Sequence, residues 1–243
     1  MQSSKENFIR VKKSLGRTYL KTLEGIYACL PEPSYTKVRN LKLFEWMNQN
    51  AEGKDVLNLG SGVGAFDHHL SKEITPVNLD IDLSKPGIHL IADAHVLPFK
   101  DESFDIVYSI AVLEHVRKPW IVADEIFRIL RKGGCVVLEL PFLNVIHDEH
   151  DYFRFTNKGI RSLFDESRFD VVFEQVGSGG GSFFSIFFFA YFRQFIWHPL
   201  RPYWDFSMKY VASMLKYLDV FIDKSHDLHI TANSFTFIGR KQG

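Results

Sequence analysis

The chain has 243 residues, of which 46% are hydrophobic and 24% charged, and this composition excludes a disordered segment. Basic and acidic residues number 29 each, so no overall positive field favours binding to nucleic acid. The two cysteines form no CxxC pair, which excludes a disulfide framework and a thiolate zinc site. No apolar stretch reaches the ~18 residues of a spanning helix, and the first residues lack a signal-peptide core. We therefore expect a folded cytoplasmic protein.

The first part of the chain reads as a helical cap over residues 1–52. Residues 1–21 carry six basic side chains among apolar residues at helical spacing, which predicts a basic amphipathic helix. This helix either packs on the domain or contacts a membrane surface or a partner. A second helix is predicted after Pro33, ending near Gly53.

Residues 53–176 read as an α/β core. Five short apolar runs alternate with helix-length segments, namely DVLNLG, TPVNLD, IHLIAD, FDIVYSI and CVVLELP. Uniformly apolar runs are typical of strands buried on both faces, and helical connections between them indicate a parallel sheet. The class is doubly wound, and FDVVFEQV and HITANSFTFIGRK are expected to add strands at one edge.

A hydrophobic helical insertion is predicted over residues 177–228, before the final strand of the core in 229–243. It opens with the glycine cluster GSGGG, predicted as a hinge, and continues with FFSIFFFAYFRQFIW over 183–197. A helix of 14 of these residues measures ~21 Å, too short for a ~30 Å hydrocarbon core. Two alternatives stay open: a core or homodimer helix, or a peripheral membrane contact through 183–204 on the inner face of the membrane.

A glycine-rich turn follows the first predicted strand, in VLNLGSGVGAF. Gly60, Gly62 and Gly64 allow the backbone to turn sharply, and the next helix would present free N–H groups to a ligand. This combination predicts a nucleotide-type ligand, although the spacing is GxGxG and not the GxGxxG of dinucleotide-binding proteins.

Acidic residues follow the next two strands. Asp80 stands about 20 residues after the turn, where a carboxylate accepts hydrogen bonds from ribose hydroxyls, and Asp82 is the alternative. Asp93 is positioned to accept an adenine amino proton, with the Ala94 amide near the ring. These groups fall at the carboxyl ends of successive strands, where open α/β sheets bind ligands.

The chain resembles the class I S-adenosylmethionine-dependent methyltransferases, in a type 11-like subgroup, over VLNLGSGVG, VNLDID, ADAHVLPFKDESFDIVYSIAVLEHV and DEIFRILRKGGCVVLELPF. The resemblance implies a Rossmann-like seven-stranded sheet with an antiparallel last strand, and S-adenosyl-L-methionine as cofactor. It also implies that the glycines hold the methionine part, Asp80 the ribose and Asp93 the adenine. Asn58 replaces the family's usual acid, so we expect reduced cofactor affinity.

Candidate residues for methyl transfer follow the fourth and fifth strands. Ser109 is expected to line the methyl-donor pocket, and His115 lies just beyond it in LEHV, as a base or as a packing residue. The segment PFLNVIHDEHDYFRFT adds His147 and His150 as further base candidates. Tyr152 and Arg154 are predicted to recognise the substrate, with Arg154 as a clamp for an anionic group. Histidines and acids also allow a metal here, but no metal is expected.

Three functions remain open from the sequence. The first is methylation of a small-molecule or lipid-linked acceptor, with a glycan or glycolipid intermediate preferred because the DYFRFT segment resembles bacterial surface-polysaccharide enzymes. The second is methylation of a quinone or another isoprenoid lipid. The third is a catalytically silent S-adenosylmethionine-binding protein, which Asn58 would favour.

Overall fold

The computed structural model describes residues 34–62, 69–82, 87–201, 203–205 and 230–243. Its strands are β1 (Val56–Leu59), β2 (Val77–Asp80), β3 (Leu90–Ile91), β4 (Phe104–Ile110), β5 (Leu130–Pro141), β6 (Phe169–Ser178) and β7 (Ser234–Lys241). The α-helices are α1 (Ser34–Asn50), α2 (Pro119–Ile129), α3 (Asn157–Leu163) and α4 (Gly180–Arg193). Short 3₁₀ helices span Leu113–His115 and His198–Leu200. The predicted helix over 1–21, residues 206–228 of the predicted insertion, and Gly64 lie outside the described residues.

The seven strands form one sheet in the order β3-β2-β1-β4-β5-β7-β6. Strands β1 to β5 pair in parallel, whereas β7 is antiparallel to both β5 and β6. The doubly wound, mostly parallel sheet with an antiparallel last strand is therefore confirmed.

Alternate residues of the central strands pack on opposite faces of the sheet, as the period of two requires. Leu57 and Val107 belong to an apolar layer shared with α2, in which Val122 and Ile126 are fully buried. Tyr108 belongs to the opposite layer, together with Leu43, Phe44 and Met47 of α1. Burial on both faces explains why these strands are apolar throughout, and it leaves the carboxyl ends of the strands as the place for polar groups.

Strand β6 runs parallel to β1–β5, because it is antiparallel to β7, which is antiparallel to β5. Its carboxyl end, Ser178, therefore lies at the same edge of the sheet as the glycine turn, and this edge is called the ligand edge below. Helix α4 begins at Gly180, only two residues later. The glycine cluster thus belongs to the end of β6 and the start of α4.

Within the described residues, α4 has 14 residues, and no helix there combines the length and the apolar character that crossing a membrane requires.

Candidate functional site

The glycine turn after β1 is fastened to the end of β2. The amides of Gly60 and Ser61 both donate to the Leu79 carbonyl, at 2.8 and 3.0 Å, and the Gly62 amide donates to Asp80 Oδ2 at 2.7 Å. Gly60 and Gly62 have φ angles of +73° and +56°, in the left-handed region that favours glycine. The turn is therefore held by backbone geometry that other residues adopt only with strain.

The two glycines differ in what surrounds them. A Cβ on Gly60 would stand 2.7 Å from Val112 Cγ1 and closer still to Cγ2, whereas a Cβ on Gly62 would meet no atom of the described residues within 4 Å. Gly60 therefore allows the chain after β4 to pack directly on the turn, and no described group packs on Gly62 in the same way.

Of the acids predicted to bind the cofactor, Asp80 lies at the glycine turn. Its side chain is buried, and its second oxygen, Oδ1, accepts the Asp82 amide at 3.0 Å. Asp82 instead contributes its backbone to this arrangement. Asp93 is more exposed and accepts both the amide and the ring Nδ1 of His95, at 2.9 and 2.6 Å. The backbone hydrogen bond from His95 lowers the pKa of Asp93, so it is ionised at neutral pH. Ala94 packs on the apolar layer beside α2.

Two further candidates are engaged inside the sheet. Asn58 is buried and donates from Nδ2 to Asn78 Oδ1 at 3.1 Å, across the β1–β2 pair. Ser109 is fully buried and donates to the Leu59 carbonyl at 3.0 Å. The Ser109 hydroxyl therefore connects β4 to β1 beneath the turn. This structural contact was not part of the prediction, which placed Ser109 in the lining of the methyl-donor pocket.

The residues at the turn fit an S-adenosylmethionine-type ligand. Ser61 Oγ is buried and has no hydrogen-bond partner among the described residues, so a polar acceptor or donor is missing beside the turn. Next to it stand Gly62 and the Asp80 carboxylate. A small polar ligand with hydroxyl groups would satisfy this side of the site.

The chain after β4 brings a second group of predicted residues together. His115 Nε2 and His147 Nε2 lie 3.2 Å apart, with their rings edge to face. Glu114 Oε1 stands 3.8 Å from His115 Nε2. The structure thus unites His115 and His147, which are 32 positions apart in the sequence, and adds a carboxylate to them. These three residues are called the His–Glu cluster below.

Glu114 is the residue of this cluster that the sequence did not single out. Its side chain is fully buried, and neither carboxylate oxygen has a hydrogen-bond partner among the described residues. Burial raises the pKa of Glu114 to about 7. The LEHV motif identifies the position, but only the tertiary structure shows that the carboxylate points inward. Ala111, at φ +54°, makes the turn that precedes it.

Arg154 was predicted to bind an anionic group of the substrate, but in the structure it binds groups of its own loop. Its guanidinium donates to both oxygens of Asp151 and to the carbonyls of Asn144, Val145 and Phe153. These contacts use all five N–H groups, so no donor remains for an anionic substrate. Arg154 therefore organises the loop that carries His147, and it lowers the pKa of Asp151 to about 2.

The remaining predicted residues lie at the rim of the cluster. His150 exposes its ring, while its carbonyl lies 2.8 Å from His115 Nδ1. Tyr152 is exposed, accepts from Arg117 Nε at 3.2 Å, and donates its backbone amide to the Glu114 carbonyl. The structure thus places Tyr152 beside the cluster, where an acceptor molecule would approach it, and leaves the His150 ring outside the cluster.

A family model described as a methyltransferase domain matches residues 57–138. An uncharacterized methyltransferase of Mycobacterium tuberculosis is 32% identical over 108 residues, which cover 38% of this chain and 42% of that protein. An uncharacterized methyltransferase of Mycolicibacterium vanbaalenii is 29% identical over 130 residues, covering 47% of this chain and 49% of that protein. The chain thus spans less than half the length of these relatives.

Solved structures share the fold at low sequence identity. The [4+2]-cyclase SpnF has a TM-score of 0.57 at 14% identity, covering 84% of this chain and 80% of that one. A putative sarcosine dimethylglycine methyltransferase from Galdieria sulphuraria has a TM-score of 0.54 at 15% identity, covering 86% of each chain. Since one of these folds is named as a cyclase, activity has to be argued from the site and not from the fold.

Proposed function

We propose that this protein transfers a methyl group from S-adenosylmethionine to a hydroxyl of a small-molecule or lipid-linked acceptor, since a family model described as a methyltransferase domain matches residues 57–138. The preferred acceptor is a glycan or glycolipid intermediate. The observation that carries the proposal is the placement of the His–Glu cluster at the ligand edge, on the chain segment that packs against the glycine turn through Val112.

The bound cofactor would supply a methyl group activated by a positively charged sulfur. The sulfur that leaves as the methyl group passes to the acceptor oxygen would need no proton, so the hydroxyl proton is the one that this chain would have to accept. The lone pair at Nε2 of His115 or His147 would take it. Asp80 would position the cofactor beside the turn, whose amides are held by the Leu79 carbonyl and by Asp80 itself, and Tyr152 would border the acceptor.

Helix α4 supports a lipid-linked acceptor. The helix buries its small residues Gly180, Gly181, Ser182 and Ser185 and exposes aromatic ones, including Phe184 at 55%. This burial is the reverse of the pattern expected for a core helix, whose phenylalanines would face inward. The exposed aromatic side chains of α4 and the following residues are Phe184, Phe187, Phe188, Tyr191, Phe192, Phe195, Trp197 and Tyr203.

This exposed aromatic surface begins at the ligand edge, because α4 follows β6 there. The ends of β5 and β6 are two strand spacings apart, about 10 Å, and the loop of His147 follows β5. Tyrosine and tryptophan favour the membrane interface, and a helix lying in that plane would bring the His–Glu cluster towards a membrane-borne acceptor.

Co-sedimentation with vesicles containing anionic lipid tests the membrane contact. We expect the protein to sediment with vesicles, and Phe184→Ser/Phe187→Ser/Phe188→Ser to stay in the supernatant. The matched control replaces exposed apolar residues elsewhere, Val96→Ser/Val172→Ser, and should sediment like the original protein. A protein that never sediments, or a triple variant that only loses a dimer, contradicts the membrane contact.

The methyl acceptor is sought by mass spectrometry of glycolipid and small-metabolite pools from cells with and without the protein. We expect a species to become lighter by one methylene when the protein is absent. Calorimetry with S-adenosylmethionine is run in parallel. If the protein binds the cofactor but no pool changes, the silent binding protein is favoured over the enzyme.

A further inference from the structure

The His–Glu cluster presents three potential ligand atoms to one point. Each of Glu114, His115 and His147 offers one oxygen or nitrogen, and these atoms all lie within 4.8 Å of one another. Glu114 is fully buried, with both oxygens lacking hydrogen-bond partners among the described residues, while His147 keeps 39% of its side chain exposed. The cluster is therefore closed on the protein side and open on the solvent side.

The hydrogen bonds of the two imidazoles leave a lone pair on each facing nitrogen. His115 Nδ1 lies 2.8 Å from the His150 carbonyl. His147 Nδ1 lies 3.2 Å from the Val145 carbonyl and 3.2 Å from Asp151 Oδ2. Oxygens of this kind only accept hydrogen bonds, so both Nδ1 atoms carry the ring proton in the neutral imidazoles. The two Nε2 atoms, each with a lone pair, then lie 3.2 Å apart, beside a carboxylate that accepts no hydrogen bond from the described residues.

Such an arrangement of two imidazole nitrogens and a carboxylate suits a divalent cation. Two imidazole nitrogens bound at 2.0–2.1 Å to a tetrahedral zinc ion stand about 3.3 Å apart, close to the 3.2 Å between the Nε2 atoms here. Two histidines and one carboxylate, with a remaining position open, are also a known ligand set of catalytic zinc. We infer that Glu114, His115 and His147 bind a divalent transition-metal ion of the zinc type.

The surroundings of the cluster support this inference. Ligand histidines in metal sites donate their other ring N–H to a carbonyl or a carboxylate, which orients the ring. His115 and His147 both do so here. The Asp151 carboxylate is in turn held by Arg154, whose remaining N–H groups bind carbonyls of the same loop. The hydrogen bonds of this loop therefore fix the orientation of the His147 ring. The sequence had predicted no metal here.

The part that the ion would play in catalysis rests on the proposed function. Its open position, on the solvent side next to Tyr152, would take the acceptor hydroxyl. An oxygen bound to a divalent ion releases its proton near neutral pH, and here that proton passes to solvent before the oxygen attacks the methyl carbon. In the metal-loaded protein the imidazoles hold the ion, and no histidine base is required.

Metal binding is measured on the full chain by calorimetry with Zn²⁺, and by visible absorption with Co²⁺ as a spectroscopic substitute. We expect one ion per chain and a four- or five-coordinate cobalt spectrum. His147→Gln and Glu114→Gln should each weaken Zn²⁺ binding by about 100-fold or more. His198→Gln removes an exposed histidine outside the cluster and should leave the affinity unchanged. His147 is half exposed, so its variant keeps the test valid even if Glu114→Gln fails to fold.

Three results would overturn the inference. The first is that neither Zn²⁺ nor Co²⁺ binds. A proton shared between the two imidazoles would then explain the short distance between their Nε2 atoms. The second is binding that His147→Gln does not weaken. The third is binding that His150→Gln abolishes while Glu114→Gln retains it, which moves the site to the His147–His150 pair. Metal binding without methyl transfer to any acceptor would support the metal site and contradict the proposed function. Methyl transfer without metal binding would support the proposed function and contradict the metal site.

Discussion

Two of the buried carboxylates at the ligand edge, Asp80 and Glu114, have opposite hydrogen-bonding environments. Asp80 accepts the amides of Gly62 and Asp82, both supplied by neighbouring backbone. Glu114 is as deeply buried and accepts no hydrogen bond from the described residues. A buried polar group without a partner costs about 1–3 kcal/mol of unfolding free energy. In the cofactor half of the proposed site, which is the glycine turn with Asp80, the protein's own backbone satisfies the carboxylate. In the acceptor half, which is the His–Glu cluster, the proposed cation or an acceptor molecule would satisfy Glu114.

The two halves meet at one contact. Val112, which precedes Glu114 by two residues, packs on Gly60 at the point where a Cβ would otherwise stand. The Ala111 amide also donates to the Glu139 carbonyl at the end of β5. The chain after β4 is therefore fixed between the glycine turn and β5, which orients Glu114 and His115 relative to the cofactor half.

The largest effect is expected from Gly60→Ala, which breaks the contact between the halves. The new methyl group overlaps Val112 and the φ of +73° is strained for alanine, together costing about 3–4 kcal/mol of unfolding free energy. Gly62→Ala is the matched control, because it adds strain without overlap and should cost only about 1–2 kcal/mol. Urea denaturation measures both, and equal losses would show that Val112 does not constrain the turn.

The next effect is expected in the acceptor half, from Arg154→Met. This change leaves the Asp151 carboxylate, which is excluded from solvent, without its cation, and should cost about 2–4 kcal/mol. Arg168→Met removes the ion pair with the exposed Asp124 and should cost less than about 1 kcal/mol. Thermal and urea unfolding of the two variants give the comparison. A similar loss in both would mean that Arg154 does not organise the loop.

A smaller effect, chiefly on cofactor affinity, is expected from Asp80→Asn. The asparagine oxygen can still accept the Gly62 amide, but the hydrogen bond from the Asp82 amide is lost together with the negative charge. Calorimetry with S-adenosylmethionine should show about 10- to 100-fold weaker binding, corresponding to about 1–3 kcal/mol. Asp82→Asn should bind like the original protein. If Asp82→Asn is the weaker binder, the ribose position belongs to Asp82.

The smallest effect is expected from a change in the acceptor half, measured as cofactor affinity. His147→Ala should change S-adenosylmethionine affinity by less than about 0.5 kcal/mol, because His147 shares no described hydrogen-bond partner with Asp80. Turnover should nevertheless fall once an acceptor is known. A large loss of cofactor affinity in His147→Ala would show that the halves are not independent.

The sequence by itself determined the strands and their order of appearance. Uniformly apolar runs are compatible only with strands covered on both faces, and the five predicted core runs appear as β1 to β5. The glycine turn was also readable, because positive φ angles and close packing demand glycine locally. Asp80 followed from its place at the end of a strand.

Only the tertiary structure decided which polar groups remain available. The sequence allowed Arg154 to bind an anionic substrate. The structure shows that all five of its N–H groups donate to residues up to ten positions away in the chain. Likewise, the burial of Glu114 and the distance between His115 and His147 depend on how the loops after β4 and β5 fold together. Local patterns set backbone conformation, whereas the satisfaction of a hydrogen bond depends on groups that are distant in sequence. The sequence therefore predicted the scaffold and the positions of the glycine turn and Asp80, whereas the tertiary structure brings the His–Glu cluster together.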